Sequence, residues 1–558
     1  MTGEAKTHYE VIVVGAGVAG IYQIKRLADL GIDATVLEAA PDLGGTWYWN
    51  RYPGCRFDSE SYTYGFSFSR ELLDEWHWKE RFSGQPENLR YLNYVADKFD
   101  LRKHMQFNCK VETMQFDETR DLWQLRIGDG RELTCRFVVL AIGLLSAPTM
   151  PRVPGIDDFK GRSFHTYYWP HEPVDLAGKK VAVIGTGATG IQLIGEIADK
   201  VGELTVFQRR PNWSAPLNNS AISDQEMADI RARYDEIFAA CALTPGSFVH
   251  GPDKRGFYEV SREERLNLWD KLYDEPGFGI WLANFREIFM DEAANAELSE
   301  YIAGRIRQRV NDPDVAEKLI PRDHGFGVQR LPLETRYFEA YNRDNVQLVD
   351  LSETPLVRVT EKGLRTTARD YDFDIIVYAT GFDAITGAYD LIDIRGNRRR
   401  APRRQVEARA VDLPRHARAR LPEPVDADRT AKRLRVDELP ARHRERRQLV
   451  HQSAAIHVGP RPHPRRRHAG GAAALDRACR QDVRDHADAQ SQVVVHRLQL
   501  QRRRPRGGHR ALLRLQRRYA EVFGDHQRGR GGGVSGDCVW GGGAGWRASD
   551  RWRDGVIG

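Results

Sequence analysis

Tyr9-Glu10-Val11-Ile12-Val13-Val14-Gly15-Ala16-Gly17-Val18-Ala19-Gly20 joins a short apolar run to a glycine-rich turn. Apolar residues then recur at Ile21, Ile24, Leu27 and Leu30, a helical spacing that Gly31 ends. Ala34 to Leu37 reads as a second strand, closed by Glu38. This strand–turn–helix–strand context turns a weak G-x-G-x-x-G match into a specific one. Gly15 permits the tight turn, Gly17 lets the backbone approach a pyrophosphate, and Gly20 lets helix and strand pack closely. The helix N-terminus offers free N–H groups and a positive dipole end to phosphates. Glu38 stands 18 residues after Gly20, where a carboxylate accepts hydrogen bonds from a ribose 2′-hydroxyl.

The pattern recurs once. Val181 to Ile184 is the strand, Gly185-Thr186-Gly187-Ala188-Thr189-Gly190 the turn, Ile191 to Ile197 the start of the helix, and Leu204 to Phe207 the next strand. At the place of Glu38 the chain reads Gln208-Arg209-Arg210. A carboxylate there would repel a 2′-phosphate, whereas arginine pairs with one bidentately. Thr186, Thr189, Arg209 and Arg210 with the three glycines therefore point to NADP, and Glu38 in the first site points to a 2′-hydroxyl nucleotide. The fold class expected is α/β, with tandem Rossmann-like dinucleotide-binding domains and a helical insertion. The insertion is the stretch from about Leu217 to Ile320, which carries Trp269, Phe278, Trp281, Phe285 and Phe289 near helical spacing. An aromatic stripe of that kind is more often core than pocket.

Between the two turns lies Phe159-Lys160-Gly161-Arg162-Ser163-Phe164-His165-Thr166-Tyr167-Tyr168-Trp169-Pro170. Its spacing, F-x-G-x-x-x-H-x-x-x-W-P, resembles the signature of the Baeyer–Villiger monooxygenases, with Phe159, Gly161, His165, Trp169 and Pro170 at the signature positions. Gly44-Gly45-Thr46-Trp47, Tyr52-Pro53-Gly54 and Asp58 form a second pattern similar to that family. Read without the family, Trp47, Trp49 and Tyr52 are core aromatics and Asp58 is a cap for a helix at Ser59 to Tyr62. The resemblance runs from about Tyr9 to Gly396. It implies FAD in the first site, bordered by Gly45, Thr46, Trp47, Asp58 and Tyr64, and NADPH in the second. It implies reduction of the FAD, addition of dioxygen, and attack of a deprotonated peroxyflavin on a ketone. Such a peroxide needs a fixed cation and exclusion of water. The family's arginine matches Arg330 in Gly325-Phe326-Gly327-Val328-Gln329-Arg330-Leu331-Pro332-Leu333-Glu334-Thr335, with Asp58 as its partner. In some relatives a basic residue precedes that arginine and helps to hold the 2′-phosphate. Gln329 stands there in this chain, which puts more weight on Arg209 and Arg210. His165 reads as a hinge or packing residue rather than a catalytic base.

The rival readings are excluded or weakened by composition. A disulfide reductase needs a redox cysteine pair beside its flavin, and Cys55, Cys109, Cys135, Cys241, Cys479 and Cys538 form no C-x-x-C. Flavin N- and S-monooxygenases share the F-x-G-x-x-x-H core but usually lack Trp-Pro. No apolar run reaches membrane-spanning length, the first ten residues resemble neither a signal nor a transit peptide, and no metal-ligand cluster is visible. Scattered cysteines fit a reducing cytoplasm. The partners expected are a ketone and O2, without nucleic acid; oligomeric state and the particular ketone are not legible.

The domains expected are 8–144 for the first part of the FAD-binding domain, 145–216 for the NADP-binding domain, 217–324 helical, 325–370 the NADP-side return, 371–396 an incomplete FAD-side return, and 397–558 a tail. The tail differs in kind. It holds 37 Arg, one Lys, 17 Asp plus Glu, and 10 of the 17 His, so it carries +21 of a total net charge of +6 and leaves −15 on the first 396 residues. The basic pI of 8.9 belongs to it. An arginine-rich tail can bind nucleic acid or be an unstructured linker. Translation in a shifted frame explains more. Residues 421–434, LPEPVDADRTAKRL, shifted by one base can read FPNLLMLTGPQSAY. Residues 408–416 and 486–499 shifted the same way can read RGPSTYLGM and TLMPKAKSWFTGSN. All three resemble C-terminal segments of the same family, in order and in one frame. The tail is therefore read as an out-of-frame, unstructured product with its break near Gly396 to Arg403. That reading leaves an impaired monooxygenase that binds FAD weakly, or an inactive pseudogene product; a basic nucleic-acid binder built on the tail is the rival of another class.

Overall fold

Short apolar runs punctuated by glycine become parallel strands, because a strand buried on both faces has no polar side to show. In the computed structural model, which describes residues 6–244 and 246–396 together with the strands Ala454–Val458 and Val494–Arg497, such strands build the two larger of four sheets, the first of them mixed with antiparallel pairs. The first runs, edge to edge, Asp393–Arg395, Val111–Asp117, Leu122–Ile127, Glu132–Leu140, His8–Val14, Ala34–Leu37 and Met105–Gln106. The second runs Val346–Asp350, Glu203–Gln208, Lys180–Ile184, Ile375–Tyr378 and Arg162–His165, all parallel.

Each sheet carries the helix that the glycine turn starts. Val18–Asp29 buries Ile21, Ile24 and Leu27 against the first sheet, and Gly31, at φ +65°, closes it. Leu30, expected inside the helix, is instead its exposed C-cap. Ala188–Ile197 does the same over the second sheet, burying Ile191, Leu193, Ile194 and Ile197. The registers coincide: Val14 pairs with Leu37 and Ile184 with Phe207, so Gln208 is the positional counterpart of Glu38.

The stretch expected to be helical is helical. Asp224–Ala232 and Arg262–Asp274 begin with capping boxes at Ser223 and Ser261, and Glu292–Arg309 with an Asp291 cap. Trp269, Phe278 and Phe285 are buried, whereas Phe289 reaches the surface.

One boundary needs correction. The FAD-side return expected from 371 begins later, because Ile375–Tyr378 completes the second sheet and only Asp393–Arg395 joins the first. All four residues of Ile375–Tyr378 are buried, and two neighbouring parallel strands compete for them more strongly than an edge of the first sheet can. Of the tail, Ala454–Val458 pairs with Val494–Arg497 and, antiparallel, with Val138–Val139. The rest of 397–558, including the expected break at 396–403, lies outside the described residues. The chain divides into units Met1–Leu498 and Gln499–Gly558, and every described residue falls in the first. Among the described residues no helix is long and apolar enough to cross a membrane.

Candidate active site

The first glycine turn is packed against the backbone behind it and open in front. A Cβ on Gly20 would lie 1.8 Å from the Gly15 carbonyl oxygen, so only glycine lets the helix start this close to the strand. Glu38 is buried and fully directed: one carboxylate oxygen accepts the Ala16 N–H at 2.6 Å, the other the Ala40 N–H at 2.8 Å. Burial raises its pKa, against those backbone donors. Beside the turn, Gly45 crosses Gly17, and a Cβ on Gly45 would meet the Gly17 Cα at 2.7 Å. Thr46 stays exposed at the start of a short helix, while Trp47 is buried and donates its indole N–H to Tyr64 Oη at 3.0 Å. Contacts thus link Gly15, Gly17, Gly20, Glu38, Gly45, Thr46, Trp47 and Tyr64 into one candidate cradle, in which Gly15, Gly20 and Gly45 pack against backbone too closely for any side chain.

The second turn shares the geometry without the carboxylate. A Cβ on Gly187 would meet nothing within 4 Å, so its face is free for a ligand, whereas one on Gly190 would clash with the Gly185 carbonyl. Thr186 Oγ1 donates to the Arg210 carbonyl at 3.0 Å, tying the turn to the strand end that bears the arginines. Arg209 and Arg210 are exposed, and Arg210 pairs with Asp323 at 3.2 Å. Gln208 is buried and donates to the Lys318 carbonyl at 2.7 Å.

The two halves meet at Asp58. Its carboxylate is almost fully buried and lies 3.0 Å from Arg330 Nη1. The Leu333 backbone N–H also serves it, and Gln192 Nε2 stands 3.5 Å away. Burial raises the Asp58 pKa, with Arg330 the largest opposing influence. The helix-cap reading of Asp58 is thereby set aside: the short helix Ser61–Tyr64 has no side-chain cap. The Arg330 side chain is half exposed and rests 5.6 Å from the centre of the Phe278 ring. One side of the guanidinium is held and the rest is free, which suits a cation that must meet a negative oxygen.

Gln192 was not foreseen. It sits on the helix Ala188–Ile197, accepts from Tyr52 Oη at 2.8 Å and donates to the Arg56 carbonyl at 3.1 Å. Thr189, one turn earlier, also bonds Tyr52. The helix that starts at the NADP-type turn thus grips the segment bearing Asp58. The only local signal was a polar residue between the apolar Ile191 and Leu193 of that helix.

His165 is placed as a packing residue. Its Nδ1 accepts the Tyr167 N–H at 3.1 Å and its Nε2 faces the Gly381 carbonyl at 3.1 Å, so Nε2 carries the proton. Burial lowers its pKa, which keeps the ring neutral. Phe159 packs on Gly161, Trp169 meets Phe164 with ring centres 4.7 Å apart, and Pro170 follows it half-buried. Tyr167 stacks on Trp49 at 5.5 Å, so the signature segment joins the edge of the second sheet to the first cradle.

Comparison with known proteins fits this arrangement. A family model described as flavin-binding monooxygenase-like matches residues 8–224. The 2-oxo-Delta(3)-4,5,5-trimethylcyclopentenylacetyl-CoA monooxygenase of Pseudomonas putida is 48% identical over 403 residues, covering 71% of this chain and 74% of its own. The methyl acetate-forming acetone monooxygenase of Gordonia sp. (strain TY-5) is 42% identical over 391 residues, 70% of this chain and 73% of its own. A crystal structure of OTEMO in complex with FAD and NADP superposes with a TM-score of 0.70 at 47% identity, covering 73% of this chain and 77% of that one.

Proposed function

The chain belongs to the Baeyer–Villiger monooxygenases, FAD- and NADPH-dependent enzymes that use dioxygen to convert ketones to esters or lactones, and we propose that Arg330 and Asp58 carry that reaction here. The first cradle fits FAD: Glu38 is buried and oriented where a ribose hydroxyl arrives, and Gly15, Gly20 and Gly45, packed on backbone too closely for side chains, bring the helix N-terminus at Gly17 to where a pyrophosphate binds. Thr46, Trp47 and Tyr64 border the ring end. The second fits NADPH: Gly185, Thr186, Gly187, Thr189 and Gly190 shape the turn, and Arg209 and Arg210 meet the 2′-phosphate. When bound, FAD supplies the redox chemistry between NADPH and dioxygen.

The observation that carries the proposal is the 3.0 Å contact between a buried carboxylate and a half-exposed guanidinium where the two nucleotide units meet. Asp58 holds one edge of Arg330. The remaining N–H groups stabilise negative charge as it forms on oxygen beside the ketone carbon. Because the cation is already in place, little reorganisation is needed during the reaction. Arg330→Met is expected to lower ester or lactone formation by about 10²–10³-fold while FAD and NADPH still bind. Product analysis by gas chromatography with binding titrations checks this; N- or S-oxides without ester would support the flavin N/S-oxygenase reading instead.

The chain as written is read as an impaired enzyme, with its last 162 residues out of frame. In support, the P. putida relative matches 71% of the chain, the share that residues 1–396 make up. The buried, unbridged thiols of Cys55, Cys109 and Cys135 support a cytoplasmic setting.

A further inference from the structure

The structure assigns His250 and Glu60 to a positioning pair that fixes the wall on which the Arg330 guanidinium rests, an inference that depends on Arg330 being the reacting cation. Glu60 lies two residues beyond Asp58 and is itself buried. Its Oε1 is 2.8 Å from His250 Nε2, while its Oε2 has no hydrogen-bond partner among the described residues. With a carboxylate as acceptor, Nε2 carries the proton and donates it. Among the described residues that leaves His250 as the one side chain bonded to the buried Glu60 carboxylate, so this contact controls where the carboxylate sits.

The same Oε1 lies beside a second segment. Gly277 has φ +85°, and a Cβ there would lie 3.1 Å from Glu60 Oε1 and 2.9 Å from the Phe82 ring. The 277–278 backbone thus lies against both the Glu60 carboxylate and the Phe82 ring, with no room for a side chain at Gly277. Phe278 follows, and its ring carries Arg330 on one side and meets Phe248 at 5.1 Å on another. Phe248 stands two residues before His250, which closes the circuit His250–Glu60–Gly277–Phe278–Phe248. Two acid–base contacts thus leave one short segment: Asp58 reaches Arg330 directly, and Glu60 reaches His250 to hold the aromatic face beneath the same guanidinium. A cation over a ring is attracted only while the face stays in position. Misplacement of a reacting group by about 1 Å costs on the order of 10²-fold in rate.

The test is hydrogen–deuterium exchange on the full chain, comparing wild type, His250→Leu and His250→Gln. Gln places an N–H donor where Nε2 stood; Leu places none. For His250→Leu the expected result is exchange about tenfold faster or more in residues 276–282 and 328–333, since a charge-assisted hydrogen bond of this kind is lost. Residues 8–14 and 132–140 should stay as protected as in wild type, and His250→Gln should restore the slow exchange. Unchanged exchange in both site segments, or faster exchange that spreads equally to the first sheet, overturns the proposal. The readout needs no turnover, so it stands apart from the Arg330→Met experiment. Intact exchange behaviour with active Arg330→Met would fault the reading of the reaction, not the pair.

Discussion

The two nucleotide units share a register and a glycine turn, yet the groups proposed to select their ligands are of opposite kinds. In the first, the selecting group is a carboxylate 5% exposed, with both oxygens already bonded to backbone N–H groups. In the second, the selecting groups are two exposed arginines at the strand end, one of them in an ion pair whose members are each 47% exposed. A desolvated, preorganised hydrogen-bonding group makes a site that keeps its ligand. Solvated charges give attraction that salt screens and that lets the ligand leave. The difference matches the division of labour in the family: FAD stays through the cycle, and NADPH is consumed in it.

The comparison breaks most readily at Glu38. Glu38→Ala removes the acceptor for two buried N–H groups and for a ribose hydroxyl. An unsatisfied buried donor costs about 1–3 kcal/mol, so FAD affinity should fall by roughly 10–100-fold. Flavin fluorescence titration reads it, and unchanged affinity would show that the carboxylate is no anchor. Next in size is the double variant Arg209→Ala/Arg210→Ala. It should raise the KM for NADPH by about tenfold and leave that for NADH nearly unchanged, since only the 2′-phosphate loses its partners. Wild-type affinity for NADPH should also fall as salt rises, while FAD affinity holds. Equal salt dependence for both ligands would erase the contrast.

The smallest effect concerns the junction. Burial raises the Asp58 pKa in spite of Arg330, so the ionised carboxylate costs stability in the folded chain. That cost is absent below the unfolded carboxylate pKa and appears as pH rises through the folded value. Asp58→Asn should therefore melt slightly higher than wild type at neutral pH, by no more than about 1 kcal/mol, and the gain should vanish below about pH 4. Thermal midpoints measured across that range check it. A lower midpoint at pH 7 would mean that the pair stabilises the fold outright.

Some of this was legible before any coordinates. Gly15 to Gly20 and Gly185 to Gly190 could be read because a tight turn, a helix start and a strand are local events, decided by residues within one turn of each other. Glu38 and Gln208 followed from counting along the same units. The Asp58–Arg330 contact spans 272 residues, and no periodicity reaches that far; only the resemblance of two separate motifs suggested it. The edge at which the chain returns was misjudged because an apolar strand such as Ile375–Tyr378 suits either parallel sheet by composition, and only its neighbours choose between them.

By itself, then, the order of residues determined two dinucleotide turns, the opposite charge of the side chains that follow their second strands, a helical insertion, and a change of character after Gly396. Backbone conformation and turn chemistry are short-range, and charge and composition need no fold at all. Tertiary structure alone decided that Gln192 grips the Asp58 segment and that Leu333 offers it an N–H. It alone decided that His250 meets Glu60 behind the ring on which Arg330 lies. Those contacts join segments whose closeness is set by how whole helices and sheets pack, and packing depends on many side chains at once.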